Sequence, residues 1–304
     1  MSKVTIIGGG HVGITTAFAL LLRQTAREIV LYDRNLEKIL GEQLDLQHSL
    51  SFLPNTDILA AKSPEDTKDS DVIVFTSGIA QLPGQSRLEL LNANKEIVKN
   101  ILPEIIHYSP QGVVIMVSNP VDILTFEASN LLNLPRGRIF GTGTTLDSSR
   151  FRFYLSEMLG INSKNIHAYI LGEHGDSSFP AISSIDVGGQ SLLSMSNVKR
   201  DQVDECFTKT KDAAKEIIAA KGSTYYAISV VVSQLAHSVL SDSKRIFPVS
   251  VPLRGEYGQN EVSLSVPCVI GKNGAERILE ISLSEEEKQQ LQNSVHILKS
   301  FITT

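Results

Sequence analysis

Short runs of β-branched and other apolar residues alternate with helically spaced apolar positions through the first half of the chain. Val4 to Ile7, Ile29 to Tyr32, Val72 to Thr76 and Val113 to Val117 read as buried strands. Between them, His11 to Arg23 and Leu36 to Leu50 carry apolar residues at the spacing of an amphipathic helix. Ser86 to Tyr108 predicts a further long helix, which Pro103 should kink or break. Strand and helix in regular alternation predict a parallel sheet built from βαβ units.

The second half has a different texture. A helical pattern from Thr145 to Leu159 leads to a strand, Asn165 to Leu171, and then to a loop rich in Gly, His, Asp and Ser. Asp201 to Leu240 is helical in pattern but interrupted at Gly222, where a kink or break is expected. Glu261 to Ile270 and Arg277 to Ser282 are strand-like, and a final amphipathic helix begins at Ser284, with Glu287 at capping-box spacing. The change of texture puts a domain boundary near Phe140 to Gly143, giving residues 1–141 and 142–304. The fold class expected is α/β, a doubly wound parallel sheet followed by an α+β domain.

Composition narrows the classes of function. The chain has 304 residues, 42% hydrophobic and 20% charged, which suits a globular protein with sizeable cores. A formal net charge of −5 offers no polyanion footprint, so nucleic acid is not an expected partner. The longest apolar runs, Gly112 to Val117 and Ile228 to Val232, fall well short of the roughly 20 residues a membrane span needs, so no membrane partner is expected. Cys206 and Cys268 lie far apart without companions at metal-binding spacing, so neither a disulfide framework nor a metal site is expected. With the first strand following directly on Met1-Ser2-Lys3, no signal peptide is expected either, and a cytoplasmic location is the default.

Gly8-Gly9-Gly10-His11-Val12-Gly13 fits G-x-G-x-x-G between a strand and a helix. The glycines serve a tight turn, close approach of the backbone to a diphosphate, and close packing of helix on sheet, while the helix N-terminus favours an anion. Gly8, Gly10, His11, Val12 and Gly13 are therefore candidate cofactor contacts in a Rossmann-type domain. Asp33 ends the second strand 20 residues beyond Gly13, where a carboxylate can accept from ribose hydroxyls. It would repel the extra phosphate of NADP; Arg34 beside it could attract that phosphate, and NAD remains the cofactor favoured. His11 is an unusual occupant of such a turn.

Three polar segments hold the candidate chemistry: Gly78-Ile79-Ala80-Gln81-Leu82-Pro83-Gly84-Gln85-Ser86-Arg87, Gly141-Thr142-Gly143-Thr144-Thr145-Leu146-Asp147-Ser148-Ser149-Arg150, and Gly172-Glu173-His174-Gly175-Asp176. In these motifs and their order the chain resembles the lactate/malate dehydrogenase family, from the glycine turn to Gly271-Lys272-Asn273-Gly274. The residue types suit reduction of a 2-keto acid. His174 can supply the proton near neutral pH, Asp147 can hold its tautomer and stabilise its protonated form, and Arg150 offers a planar fork to the substrate carboxylate. Asp147 and Arg150, three apart, share a helix face. Arg87, on a loop able to close, would polarise the carbonyl and help exclude water.

The resemblance implies these same roles. It further implies that Asn119 orients the substrate before a cis Asn119-Pro120 bond, that Thr224 and Ile228 line the pocket near the nicotinamide, and that Gly78, Asn119 and Ile228 border the cofactor. Each residue has a plainer role open to it: His174 as one of seven histidines on a loop, Asp147 and Arg150 as a surface pair contributing roughly 0.2–0.5 kcal/mol, Arg87 as a solvated helix residue, Asn119 as a turn former. Their joint order and spacing favour the catalytic reading.

Gln81 bears most on the substrate. In the family, glutamine at this place accompanies lactate-forming members and arginine malate-forming ones. Oxaloacetate carries a second carboxylate that needs a positive charge if it is buried, whereas pyruvate presents a methyl group. Pyruvate and L-lactate are the expected pair. A broader 2-keto-acid specificity, suggested by the apolar Leu82, and malate dehydrogenation stay open as alternatives. Arg152 projects roughly 200° from Arg150 on a helix. With His167 it matches positions that bind fructose 1,6-bisphosphate between subunits in allosteric bacterial members; the alternative is an interface ion-pair residue and a satisfied strand histidine. A homo-oligomer is expected, a tetramer rather than a dimer, assembled through body helices such as Leu36 to Leu50. Two other classes fit less well: an NAD sensor without chemistry, disfavoured by Arg87, Asp147, Arg150 and His174 together, and an NAD-dependent glycosidase, disfavoured by the lack of a metal cluster around either cysteine.

Overall fold

The computed structural model describes residues 2–79, 87–196 and 198–302, with Arg87 and Leu88 described by backbone alone. In the first half, β1 (Lys3–Ile7), β2 (Glu28–Tyr32), β3 (Asp57–Ala60), β4 (Val72–Phe75), β5 (Val113–Met116) and β6 (Ile139–Gly141) alternate with α1 (His11–Leu22), α2 (Leu36–His48), α3 (Arg87–Tyr108) and α4 (Val121–Leu131). These six strands pair in parallel in the order β3-β2-β1-β4-β5-β6. After β3 the chain crosses to the other side of β1, so a crevice opens at the carboxyl ends of β1 and β4, where sheets of this topology hold ligands. All side chains of β4 and β5 are buried, the continuous apolar pattern of strands covered by helices on both faces.

The second half contains α5 (Thr145–Leu159), β7 (Ile166–His167), β8 (Ile170–Leu171), β9 (Phe179–Pro180), β10 (Asp186–Val187), β11 (Gln190–Ser191), α6 (Arg200–Lys221), α7 (Tyr226–Leu240), β12 (Arg245–Arg254), β13 (Asn260–Gly271), β14 (Gly274–Ile278) and α8 (Glu285–Ile302). The sheet does not stop at β6. Ser250 of β12 pairs antiparallel with Gly141, and β13 and β14 follow, making nine strands. Sequence patterning passes over β12 because Pro248 and Pro252 interrupt it. Pro248 lies opposite Pro267 of β13, so that pair donates nothing and the ladder is carried by the alternate pairs.

Two further expectations change. Pro103 sits inside α3 without ending it. The loss of one backbone hydrogen bond is borne by the buried Val98, Leu102, Ile105 and Ile106 on either side of it. The single strand expected from Asn165 to Leu171 is two short ones, because His167 pairs with Asp186 while Ile170 pairs with Pro180. The break at Gly222 is found, at φ +85° between α6 and α7. A second, smaller core of Phe151, Leu155, Ile166, Val203 and Cys206 packs α5 against α6. Among the described residues no helix is long and apolar enough to cross a membrane.

The capping box at the start of α8 forms: Ser284 N donates to Glu287 Oε2 at 2.8 Å and Glu287 N donates to Ser284 Oγ at 3.2 Å. Glu287 does more than cap. It is 5% exposed and also accepts from the backbone N (2.9 Å) and hydroxyl of Ser183, fixing α8 to the body of the protein. Burial acts to raise its carboxyl, but the Ser183 and Ser284 donors hold it below the usual glutamate range. Since the folded carboxyl is the stronger acid, its contribution is present above the unfolded value and lost as pH falls through the folded one. Glu287→Ala should cost about 2–3 kcal/mol by urea unfolding at pH 7, and the difference from the native chain should shrink below pH 4; an equal difference at both pH values would refute the charged anchor.

Candidate active site

The glycine turn is shaped by the strand beside it. Gly8 takes φ +108°, and a Cβ there would lie 2.7 Å from Ser77 N; one on Gly13 would lie 1.9 Å from Gly8 O. A Cβ on Gly10 would meet nothing within 4 Å, so this side of the turn is open to a ligand. Gly10 is the N-cap of α1; no side chain caps the helix and its first turn carries no acid. That leaves N–H groups able to receive an anion. Asp33 Oδ2 accepts from Gly9 N at 2.7 Å and Oδ1 from Asn35 N at 2.9 Å, so the carboxylate braces the turn it adjoins. Gly8, Gly10, Asp33, Arg34 and Gly78 border one cleft of about 430 Å³. These residues fit a dinucleotide with its diphosphate at the helix terminus.

Val12 and Asn119 lead to a second cleft of about 370 Å³, which Asp147, Arg150, His174, Thr224 and Ile228 also line. Its centre is assembled from α5 and the loop after β8, both tied to β13. Ser265 Oγ accepts from Thr144 N at 3.0 Å, and the Ser265 backbone exchanges bonds with Gly172 at 2.9 and 3.0 Å. Gly172 takes φ +89°, and a Cβ there would approach Ser294 Oγ of α8 to 2.5 Å. The anchoring brings Asp147 and His174, 27 positions apart, into contact: Nδ1 of the imidazole lies 2.8 Å from Asp147 Oδ2, while Arg150 Nη1 donates to Asp147 Oδ1 at 2.9 Å. The Asp147–Arg150 pair is not the exposed pair of the plainer reading, since the side chains are only 17% and 13% accessible.

Burial raises the Asp147 carboxyl, but the charges and donors of His174 and Arg150 outweigh it and hold the group below the usual carboxylate range. For His174 burial disfavours the charged ring, yet Asp147, with help from Asp122, raises it to about 9. The ring is enclosed by protein but keeps 29% of its side-chain surface accessible, and it lines the cleft. It is therefore held protonated at neutral pH.

Asn119 forms the cis bond with Pro120. Its carbonyl accepts from Nδ2 of the buried Asn94 at 2.8 Å, and Asn94 Oδ1 accepts from Ile79 N at 2.9 Å. Asn94 and Asp122 escaped the sequence reading: neither stands in a polar motif, and Asp122 falls on α4, a helix the pattern did not predict. Gln81 lies outside the described residues, and of Arg87 only the backbone, at the start of α3, is described. Arg152 and His167 line neither cleft. Arg152 Nε donates to Ser148 O at 3.2 Å; burial and then the Arg245 charge, opposed by Tyr169, hold its guanidinium below its ordinary range. His167 is exposed on β7. Cys206 and Cys268 are buried free thiols.

Residues 2–141 match the family model for the NAD-binding domain of lactate/malate dehydrogenases, and residues 144–304 the model for their α/β C-terminal domain. The chain is 42% identical to an L-lactate dehydrogenase of Thermoanaerobacterium saccharolyticum, with 99% of this chain and 98% of that protein covered, and 40% identical to one of a Synechococcus species, with the same coverage. The structure of the minor L-lactate dehydrogenase of Enterococcus mundtii in a ligand-bound form superposes with a TM-score of 0.96 at 35% identity, covering 99% of this chain and 98% of that one. A glycine turn braced by Asp33, and a histidine and arginine joined through one carboxylate, agree with these matches over the full length: the chain belongs to the lactate/malate dehydrogenase family.

Proposed function

We propose that the chain interconverts pyruvate and L-lactate with NAD, His174 giving and taking the proton. The observation that carries this reading is the bridging of His174 and Arg150 by Asp147 on the wall of the second cleft. Relatives named L-lactate dehydrogenases along almost the whole chain support the substrate. NADH, held at the glycine turn beside Asp33, would supply the hydride for the keto carbon.

The chain's own residues supply the rest. With Nδ1 engaged by Asp147, Nε2 is the nitrogen left to protonate the forming alkoxide. Among the described residues Arg150 has no acceptor besides Asp147, so its Nη2–Nε edge is available to the substrate carboxylate. Asn119 orients the substrate, and Thr224 and Ile228 close the cleft beside the cofactor. Gly78, Val12 and the backbone of His11 complete the cofactor's surroundings. Arg87 would polarise the carbonyl and Gln81 would face the methyl group; both assignments rest on the sequence. Residues 1–141 would hold the cofactor and 142–304 the proton-transfer and carboxylate-binding groups.

For regulation we read Arg152 and His167 as a site for fructose 1,6-bisphosphate between subunits of a homotetramer. Arg152 has Arg245 nearby and, among the described residues, no carboxylate partner, so a phosphate there would relieve like charge. Assembly is supported by apolar side chains left exposed on and near α1 and α2: Phe18, Leu22, Leu40, Leu44 and Phe52.

NADH oxidation measured at 340 nm should favour pyruvate over oxaloacetate, and Gln81→Arg should raise the oxaloacetate-to-pyruvate ratio of kcat/KM by at least about tenfold; a native preference for oxaloacetate, or an unmoved ratio, would overturn the substrate assignment. For reduction, kcat/KM should fall as pH rises through about 9, where the His174 ring loses its proton. Asp147→Asn should lower kcat/KM at least about tenfold at pH 7 and move that limb to lower pH; a limb that stays in place would rule out His174 as the proton donor. Millimolar fructose 1,6-bisphosphate should lower KM for pyruvate and favour the tetramer in sedimentation, and no change in either would remove the effector site.

A further inference from the structure

Asp122 stands in the first turn of α4, two residues after Pro120, and is 2% exposed. An acid at this place on a helix ordinarily accepts from the N–H groups of its own first turn. Asp122 does not. Its Oδ2 accepts from the backbone N of His174 at 2.7 Å, 52 positions along the chain. Its Oδ1 and the Ser250 hydroxyl are both buried without a well-aligned hydrogen bond among the described residues, although the hydroxyl is close enough to favour the ionised carboxylate. Burial pushes the carboxyl up to about 6, against the pull of Ser250 and of His174.

A neutral asparagine would make the same bond to the His174 backbone without the cost of taking a charge out of water. The charge therefore needs a further use, and the group beside it is the imidazole: Asp122 and His174 line one cleft, together with Pro120 and Glu173, and Asp122 favours the protonated ring. We propose that Asp122 is a positioning residue that acts through His174, anchoring the backbone of the loop and setting a second carboxylate beside the ring. The role in catalysis rests on His174 being the proton donor; the coupling itself does not.

The other charged groups around the ring come from three directions. Asp147 of α5 bonds it directly, and Arg150, from the same helix, opposes its charge. Glu173, its neighbour on the loop, is engaged by Ser177 N at 3.2 Å and acts on Asp122, pushing its carboxyl up. Lys211 of α6 donates to Asp176 O at 2.8 Å in the same loop. Asp122 itself changes charge near pH 6, between the ranges of Asp147 and the ring.

The test is a proton NMR titration of the His174 ring in the full chain, its signal assigned by loss in His174→Gln. In the native chain the signal should carry a second inflection near pH 6, where Asp122 titrates. In Asp122→Asn that inflection should vanish and the main transition, near pH 9 in the native chain, should fall by about one pH unit. A native ring with a single transition, or an unmoved transition in the variant, would overturn the proposal; the native titration decides alone if the variant does not fold. The pH profile of pyruvate reduction, run on the same samples, separates the two readings. If the ring shifts and the alkaline limb of kcat/KM follows, both stand. If the ring shifts and the limb does not, the coupling stands and His174 is not the proton donor.

Discussion

The Asp147 carboxylate holds the site together. One oxygen accepts from Arg150 on the same helix and the other meets His174 on a distant loop, so a single buried acid fixes the relative placement of the two groups the proposed reaction uses. Such a bridge is costly to bury and survives because both oxygens have charged partners. Without it the imidazole would lose the interaction that most favours its proton, and the arginine would lose its orientation. The position of the acid is in turn set by β13, which binds the start of α5 and the start of the histidine loop through Ser265.

This dependence runs through the sheet. Six parallel strands form the crevice for the dinucleotide, and three antiparallel strands continue the sheet past β6, so the cofactor turn and the histidine loop are built on one framework. Ser229 of α7 adds a direct tie, its hydroxyl donating to Val12 O at 3.1 Å in the glycine turn. His11 stacks on Tyr225 with ring centroids 5.2 Å apart, and Lys221 lies 3.5 Å from the Tyr225 centroid. The unusual histidine of the turn thus packs against the junction of α6 and α7, next to Thr224. The residues proposed for the chemistry and for the cofactor are placed by the same packed elements, which suits a reaction whose rate depends on sub-ångström positioning.

Much of this is legible before folding. The strands β1, β2, β4 and β5 are apolar runs with no competing pattern, and the capping box of α8 depends on two residues three apart. At Gly8 and Gly13 the glycine turn is written where the fold leaves no room for a side chain. Local rules fail where a tertiary partner overrides them. β12 contains two prolines and survives because β13 pairs with its other positions. α3 passes through Pro103 because buried residues on both sides hold it. β7 and β8 separate because different strands claim the two ends of one apolar run.

The sequence by itself determined the order of the elements, the dinucleotide turn and the identity of His174, Asp147 and Arg150 as candidates, because each depends on residue type and short spacing. Only the tertiary structure decided that Asp147 meets His174, that Asn94 supports Asn119, and that Asp122 reaches the histidine loop. Those contacts link residues tens of positions apart, and a buried carboxylate's partners are set by which backbones the sheet brings together.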